Sequence, residues 1–333
     1  MKNMRRIIAL LLTIVMVVTC SACATAGKWI AKAEDGTEIP VGVWIWLLYN
    51  DYYEAYTMAS DSSVSPLNQT IEEKKGETWI VDTAKSDLES MLTVKKLANE
   101  LGLKLDAAKL KEVTASVNSV WETSSESYEV FGISKASLQA YYEFTELSTL
   151  VFNYYYGIGG KKGNTKESLI KYVEESCKNV QYVAVAITED SDSKELTEAF
   201  NEMAEKYRQG TSVDDIVKEY NEKNEVDVKA NSSTFASAEL TSSSSDLEKA
   251  MQNTKAGEAT VVKSNDVMYV MFGRDIKDVS KDYVEESSDE ILQRLHEEEY
   301  MELLEDEAEK VTYELNNKAY KKYSPKWLEK VAG

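Results

Sequence analysis

The chain has 333 residues, 43% of them hydrophobic, with 58 acidic against 38 basic side chains and a net charge of −20. That length suggests two or three domains, and the apolar share is enough for packed interiors. The acidity excludes a nucleic-acid partner, whose phosphates demand a basic surface, and it argues against charge-driven docking on anionic lipid.

Residues 1–22 read as a signal peptide. Lys2, Arg5 and Arg6 form the positive region, and Ile7 to Val18 is apolar except for Thr13. This run suits a signal-peptide core and is short for a membrane span. Ser21-Ala22-Cys23 resembles the end of a bacterial lipobox, with Cys20 where that pattern usually has an aliphatic residue. Cys23 is therefore the expected lipidation site, and 23–40 a lipid-proximal linker. The expected location is the outer face of the bacterial cytoplasmic membrane, held by the lipid anchor. Two other readings stay open. Ala24-Thr25-Ala26 fits an ordinary cleavage site, which gives a secreted protein, and the uncharged stretch Ile7 to Ala26 fits an uncleaved anchor. All three place the body outside the cytoplasmic membrane.

From 41 to 176 the pattern is helical. Val41 to Met58 carries an aromatic set in which Trp44, Tyr49 and Tyr52 are candidate peptide-gripping side chains, with core packing as the plainer reading. A long helix from about Thr78 to Leu101 places Ile80, Ala84, Leu88, Met91, Val94, Ala98 and Leu101 on one side, and Gly102 ends it. Asp106 is an expected N-cap, with Leu110, Val113, Val117 and Val120 on the buried face that follows. Ser134 caps a helix running to about Tyr156. The Gly-rich 157–163 stretch follows a helix and lacks the Lys-Ser/Thr pair of a phosphate loop, so it reads as a linker. Asn164 with Glu167 suggests a capping box.

Residues 177–277 change character. Val180 to Ile187 alternates as a strand does, and helices follow at about Lys194–Gln209 and Val213–Asn221. A strand-like patch, Val226–Ala230, precedes a Ser-rich loop and a short helix around Leu247–Met251. Ala259–Lys263 and Val267–Phe272 make a hairpin turning at Ser264-Asn265-Asp266. The fold class is α+β: a mostly helical body with one inserted β-bearing unit.

Several pieces of this unit, in order, carry a family resemblance. They are Tyr182–Ile187, Tyr207-Arg208-Gln209-Gly210, Leu247-Glu248-Lys249-Ala250, Lys255-Ala256-Gly257-Glu258 and Met268-Tyr269-Val270-Met271-Phe272. Together they resemble a parvulin-type peptidyl-prolyl isomerase domain. The flanks resemble PrsA- and SurA-type extracytoplasmic foldases through Leu101-Gly102-Leu103-Lys104-Leu105 and Phe131-Gly132-Ile133-Ser134. The resemblance implies that the C-terminal helices, 278–333, pack on the N-terminal ones. It also implies that the partners are unfolded or nascent exported proteins, and that the N-terminal helices can form a homodimer.

Parvulins place one His on the opening strand and another on the closing one. Here Asn179 to Thr188 contains no His, and Tyr269 falls at the second position, which makes it the candidate catalytic residue. Met268, Met271, Phe272 and Phe235 are candidates for lining the peptide site. Alternation puts Tyr269 and Met271 on one face and Met268, Val270 and Phe272 on the other, so only one set can face a slot.

At the C-terminal end, Asp289 can cap a helix through Ile291, Leu295, Tyr300 and Leu304 whose outer face is acidic. His296, the single histidine, reads as exposed or partly packed. Cys177 is the only thiol of the folded body, so an internal disulfide cannot form, and no Cys/His metal cluster is possible. No metal and no cofactor are expected. The functional expectation is a membrane-anchored foldase or chaperone for exported proteins, with an isomerase-like domain of reduced or no activity. The alternative is a solute-binding lipoprotein of a transporter, which fits the leader but lacks a second strand–helix lobe.

Overall fold

The structure, a computed structural model, describes residues 28–188, 193–237 and 245–332. The signal peptide of 1–22, Cys23 and the first part of the 23–40 linker lie outside these residues. Among the described residues no helix is long and apolar enough to cross a membrane. The chain divides into two compact units. One runs up to Tyr155 and resumes at Glu298, and the other is Tyr156–Glu297. The mostly helical α+β composition read from the sequence is what the elements show.

In the first unit, β1 (Trp29–Ala33) and β2 (Glu38–Pro40) form a hairpin, and helix α1 (Val41–Met58) follows directly. A 3-10 turn (Pro66–Asn68) and the two-residue strands β3 (Thr70–Ile71) and β4 (Lys74–Lys75) lead into α2 (Gly76–Leu101). Gly102 ends α2 in the left-handed conformation at φ 70°, where a side chain is strained. Its N–H donates to the Asn99 carbonyl at 3.2 Å, and that of Leu103 to Ala98 at 2.8 Å. Helices α3 (Ala107–Val130) and α4 (Lys135–Tyr156) follow, with the Asp106 carboxylate accepting from the Lys109 N–H at 2.8 Å as the expected N-cap.

One expectation about α3 is corrected. Val113 and Val117 are buried, but Leu110 is 38% exposed and Val120 only half-buried. The period of the helix puts these residues on one stripe, but its cover thins toward the ends: Val120 still packs on the core, while Leu110 stands at the surface. A second finding is β-structure where none was expected. Strand β9 (Tyr313–Leu315) pairs antiparallel with β1, giving a three-stranded sheet in the order β2-β1-β9. Short helices α10 (Asn317–Lys322) and α11 (Pro325–Ala332) then bring Leu328, 2% exposed, into the core of Ile45, Leu48, Ile80 and Leu88.

The second unit opens with α5 (Lys166–Ser176). Its cap is Thr165, whose hydroxyl accepts from the Ser168 N–H at 3.1 Å, rather than the Asn164–Glu167 pair expected. Asn164 points elsewhere, as described below. The long strand β5 (Cys177–Ala186) leads to α6 (Ser193–Arg208) and α7 (Val213–Asn224). The next strand is β6 (Asn231–Ala236), not Val226–Ala230. The Asn221 side chain satisfies both backbone groups of Val228: its Nδ2 donates to the carbonyl at 2.9 Å, and its Oδ1 accepts from the N–H at 3.0 Å. The hydroxyl-rich segment pairs with β5 instead, and the Asn179 amide reaches Ser232 Oγ at 3.0 Å and Thr234 Oγ1 at 2.8 Å.

Helix α8 (Asp246–Asn253) precedes the hairpin of β7 (Ala259–Ser264) and β8 (Val267–Arg274). The four strands run antiparallel in the order β6-β5-β8-β7. One face is covered by α6 and α7: Phe200, Met203, Ile216 and Val217 pack on Val183, Met268, Val270 and Phe272. The Lys255–Glu258 turn is pinned to the end of β8. The Gly257 N–H donates to the Gly273 carbonyl, and the Gly273 N–H to Glu258, both at 2.9 Å. A Cβ at residue 273 would lie 1.9 Å from the Lys255 carbonyl oxygen, so the turn requires glycine there.

The chain then enters α9 (Ser280–Ala308), which is interrupted at Ser287 (φ −129°, ψ 24°). Asp289 therefore sits just past a break inside a helix that started at Ser280, not at its first turn. The acidic residues Glu297, Glu298, Glu302, Glu305 and Asp306 are exposed, as a solvated face requires. The sequence boundaries at 177 and 277 fall inside the second unit, which also takes in α5 and the first part of α9.

Candidate functional site

Two surfaces concern the residues singled out from the sequence, one in each unit. In the second unit the period of two along β5 and β8 sorts the side chains. Met268 (4% exposed) and Phe272 (0%) face α6 and α7 as core, which corrects their reading as peptide-lining residues. They pack against Phe200 and Met203 and offer no surface to a ligand. Tyr269 and Met271 take the other face. Tyr269 is flanked in register by Ala184 on β5 and Val262 on β7, and Met271 by Tyr182 and Thr260. The Tyr269 and Tyr182 rings lie with centroids 6.2 Å apart, tilted by 51°, and both are half-buried. Met271 is 1% exposed and Phe235 6%, so both are packed rather than open.

Helix α8 borders this face along β7. The Lys178 ammonium donates to the Gln252 carbonyl, and the Thr254 hydroxyl shares a 2.8 Å hydrogen bond with Thr260. The sheet face thus presents a pair of phenol rings whose hydroxyls can donate to or accept from a bound amide. Sequence reasoning singled out Tyr269 and did not name its ring neighbour Tyr182. The signal was there, since the position lies on the same side of β5 as Val180 and Ala184.

The single histidine takes no part in this face. His296 is buried at 9% exposure, which corrects its reading as exposed or partly packed. Its ring stacks on Tyr156 (centroids 4.9 Å, 26°), and its Nε2 accepts from the Asn164 amide at 3.0 Å. The same amide group donates to the Tyr156 carbonyl at 2.6 Å, which is what takes Asn164 away from the helix cap.

In the first unit the aromatic residues of α1 split by helical face. Trp44 is core, at 1% exposure. Its Nε1 donates to the Tyr323 carbonyl at 3.0 Å, and it packs on Tyr320 with centroids 5.2 Å apart, so it cannot grip a peptide as the sequence suggested. Tyr49 and Tyr52 are half-buried. Tyr49 joins Trp46, Tyr128 and Phe131 on one side and Tyr53 on the other, the last at 4.8 Å. Tyr53 and Tyr56, not singled out from the sequence, are the exposed end of the set, at 49% and 42%, beside Met58 at 42%. They follow Tyr49 at the four- and seven-residue spacing of a helix face. Burial and the neighbouring phenols push the Tyr49 hydroxyl up to about 12.

Beneath this face sits an uncompensated carboxyl. Asp51 is 4% exposed, and its Oδ2 has no hydrogen-bond partner among the described residues. Burial, then the charges of Asp87 and Glu54, push it up to about 8. Asp87 rises to about 6 by burial and the Glu54 charge. A buried carboxylate without a partner is favoured in its neutral form.

No family model matches the chain, and no curated protein does. Similar solved structures include the foldase PrsA from Lactococcus lactis, at 14% identity and TM-score 0.36, covering 89% of this chain and 98% of that one. PrsA from Streptococcus pneumoniae has 14% identity and TM-score 0.38, covering 78% and 97%. PrsA from Bacillus subtilis has 15% identity and TM-score 0.32, covering 75% and 93%. Similarity at this level assigns no residue and no activity to the present chain.

The buried acids generate a pH dependence. An acid whose folded pKa is raised costs stability once the unfolded form ionises, and the cost stops growing above the folded pKa. Thermal stability is thus expected to fall as pH rises from about 4 to about 8, then to level off. Asp51→Asn should remove most of that slope. Melting curves at stepped pH check this, and a slope unchanged in the variant rules out Asp51 as its source.

Proposed function

We propose that this chain is an extracytoplasmic foldase that holds unfolded exported polypeptides. The carrying observation is the tyrosine face of α1, where Tyr53, Tyr56 and Met58 stand exposed on a helix whose other side is locked in the core. Such rings offer large contact area at low entropic cost, and a rigid base keeps that cost low. The net charge of −20 keeps the remaining surface soluble while apolar segments are held. Tyr53→Ser with Tyr56→Ser is expected to weaken suppression of aggregation of a denatured exported protein several-fold, with little change in melting temperature. Light scattering reads the effect, and equal protection by the variant defeats the assignment.

A second activity, prolyl isomerisation, is favoured by the Tyr182–Tyr269 pair on the sheet face turned away from α6 and α7. The element order of this unit, strand, two helices, strand, helix and hairpin, is the order on which the parvulin resemblance rests. Rotation about the prolyl amide faces a barrier of roughly 18–20 kcal/mol, which a catalyst lowers by favouring the twisted amide. A phenol donating to that amide supplies part of this without histidine. The expected result is weak acceleration of cis-to-trans exchange in a short X-Pro peptide, lost in Tyr269→Ala. Exchange at the uncatalysed rate, tens to hundreds of seconds, leaves the unit as a binding module.

The same reading attaches the chain through a lipid on Cys23, at the outer face of the bacterial cytoplasmic membrane, with the leader features as its support. Cys23→Ser should move the protein from the membrane to the soluble fraction. Continued membrane retention of the variant favours an uncleaved leader instead.

A further inference from the structure

The net charge of −20 is not spread evenly along the chain. From Asn316 to Lys330 there are five lysines, Lys318, Lys321, Lys322, Lys326 and Lys330, against a single acid, Glu329. All five lysines are exposed, and Glu329 is half-buried. Lys318, Lys321 and Lys322 belong to α10 and stand at the i, i+3 and i+4 spacing that puts side chains on one helix face. The opposite face is fixed in the core, where Ala319 is fully buried and Tyr320 packs on Trp44. The lysine face is therefore turned to solvent.

Pairing within the fold does not account for this face. Among the described residues Lys326 pairs with Glu77 at 2.8 Å, whereas Lys318, Lys321 and Lys322 make no ion pair. The Lys322 ammonium lies over the Tyr323 ring, 4.7 Å from its centroid. Of the acids on the adjoining strands, Glu38 is bound by Lys32 at 3.0 Å, and Glu314 stands across from Lys32 on β9. Lys321 and Lys322 occupy the last turn, where a cation suits the helix dipole, but Lys318 occupies the first turn, where the dipole opposes it. Like charges at this spacing also repel one another.

The place of α10 in the fold supplies a second observation. The Asn316 N–H donates to the Ile30 carbonyl at 2.8 Å, and its side-chain amide donates to the Trp29 carbonyl at 3.0 Å. The helix thus starts beside the first described residues of the chain, and Lys28 there is exposed as well. An extended chain spans at most about 3.3–3.6 Å per residue, so Cys23 lies within roughly 18 Å of Lys28 however the residues between them run. With a lipid on Cys23, α10 is kept close to the membrane surface. The acidic remainder of the molecule counts for little there, because charges are screened over about 10 Å at 0.1 M salt.

We infer that the lysine face of α10 docks on the anionic lipid headgroups of the membrane that holds the anchor. Lys318, Lys321 and Lys322 donate to lipid phosphates, and the docked face fixes the rotation of the first unit about its tether. For one local face this reverses what the net charge alone suggests. A lysine near an anionic leaflet gains about five-fold in partitioning, so three favour the docked form on the order of a hundred-fold. The nearness of the membrane rests on the Cys23 reading above, whereas the face and its residues do not.

The test mixes the purified full chain with excess vesicles, either phosphatidylcholine alone or an equal mixture with phosphatidylglycerol. A water-soluble reagent then acetylates the lysines, and mass spectrometry reads the rate at each site. At about 0.1 M salt, Lys318, Lys321 and Lys322 are expected to react about ten-fold or more slowly on the anionic vesicles than on the zwitterionic ones. The exposed Lys218 and Lys229 of the second unit should react equally on both. Salt at about 1 M, where the screening length is about 3 Å, should abolish the difference. Equal rates on the two vesicle types overturn the inference, as does slowing shared by Lys218 and Lys229 or slowing that survives the salt. Slowing by soluble polyphosphate, with none on anionic vesicles, assigns the face to a free polyanion and also overturns it. The fractionation of Cys23→Ser is read separately. Release of that variant alongside equal labelling rates keeps the lipid anchor and sinks the docking face. Slowed labelling alongside membrane retention of the variant keeps the face and sinks the lipid on Cys23.

Discussion

Ala31 pairs with Leu315, Lys32 with Glu314 and Ala33 with Tyr313, and on this short ladder the first unit closes. The two strands lie at opposite ends of the described chain. The entropic cost of closing so long a loop grows only slowly, about 0.6 kcal/mol per doubling of length, so a few well-placed contacts suffice. Those contacts are present. The Asn316 amide donates to the Trp29 carbonyl at 3.0 Å, Tyr313 donates to Glu89 at 2.7 Å, and Trp44 donates to the Tyr323 carbonyl at 3.0 Å. Once β9 is docked, α10 and α11 have a place in the core, and Trp44 is spent on packing rather than recognition.

The same division between packing and presentation recurs along α1. Trp44, Ile45 and Leu48 face inward, Tyr49 and Tyr52 lie at the boundary, and Tyr53 and Tyr56 stand outside. A ring network joins these layers through Tyr49. Asp51 lies on the buried side of this helix, and its Oδ2 has no hydrogen-bond partner among the described residues, which is a standing cost to the fold. Buried, unpaired polar groups of this kind mark places where a protein gives up stability. Here the helix concerned is the one that carries the proposed binding face.

In the second unit the organising constraint is the pleat. A strand paired on both sides has no freedom to rotate, so β8 must commit Met268 and Phe272 to the helices and Tyr269 to the other face. This leaves Tyr269 beside Tyr182, with Met271 packed next to them in register. The Lys255–Glu258 turn, held at Gly273, fixes where β7 begins and therefore which residue of β7 flanks Tyr269.

The sequence by itself determined the features that depend on near neighbours along the chain. The helical stripe of α2, its Gly102 stop, the Asp106 cap, the alternation in β5 and the turn at Asn265 are all set within a few residues by backbone sterics and period. The α+β character and the two-faced sorting of β8 followed from the same local rules. Tertiary structure decided what depends on distant partners. Val228 is satisfied by the Asn221 side chain, so the polar Asn231–Ala236 segment becomes the strand. Asn164 is drawn from a helix cap to His296. Leu110 is left 38% exposed, so a core-patterned residue lines a groove. Period tells which residues share a face. Whether that face is buried is set by elements tens or hundreds of residues away, and no local pattern encodes their arrival.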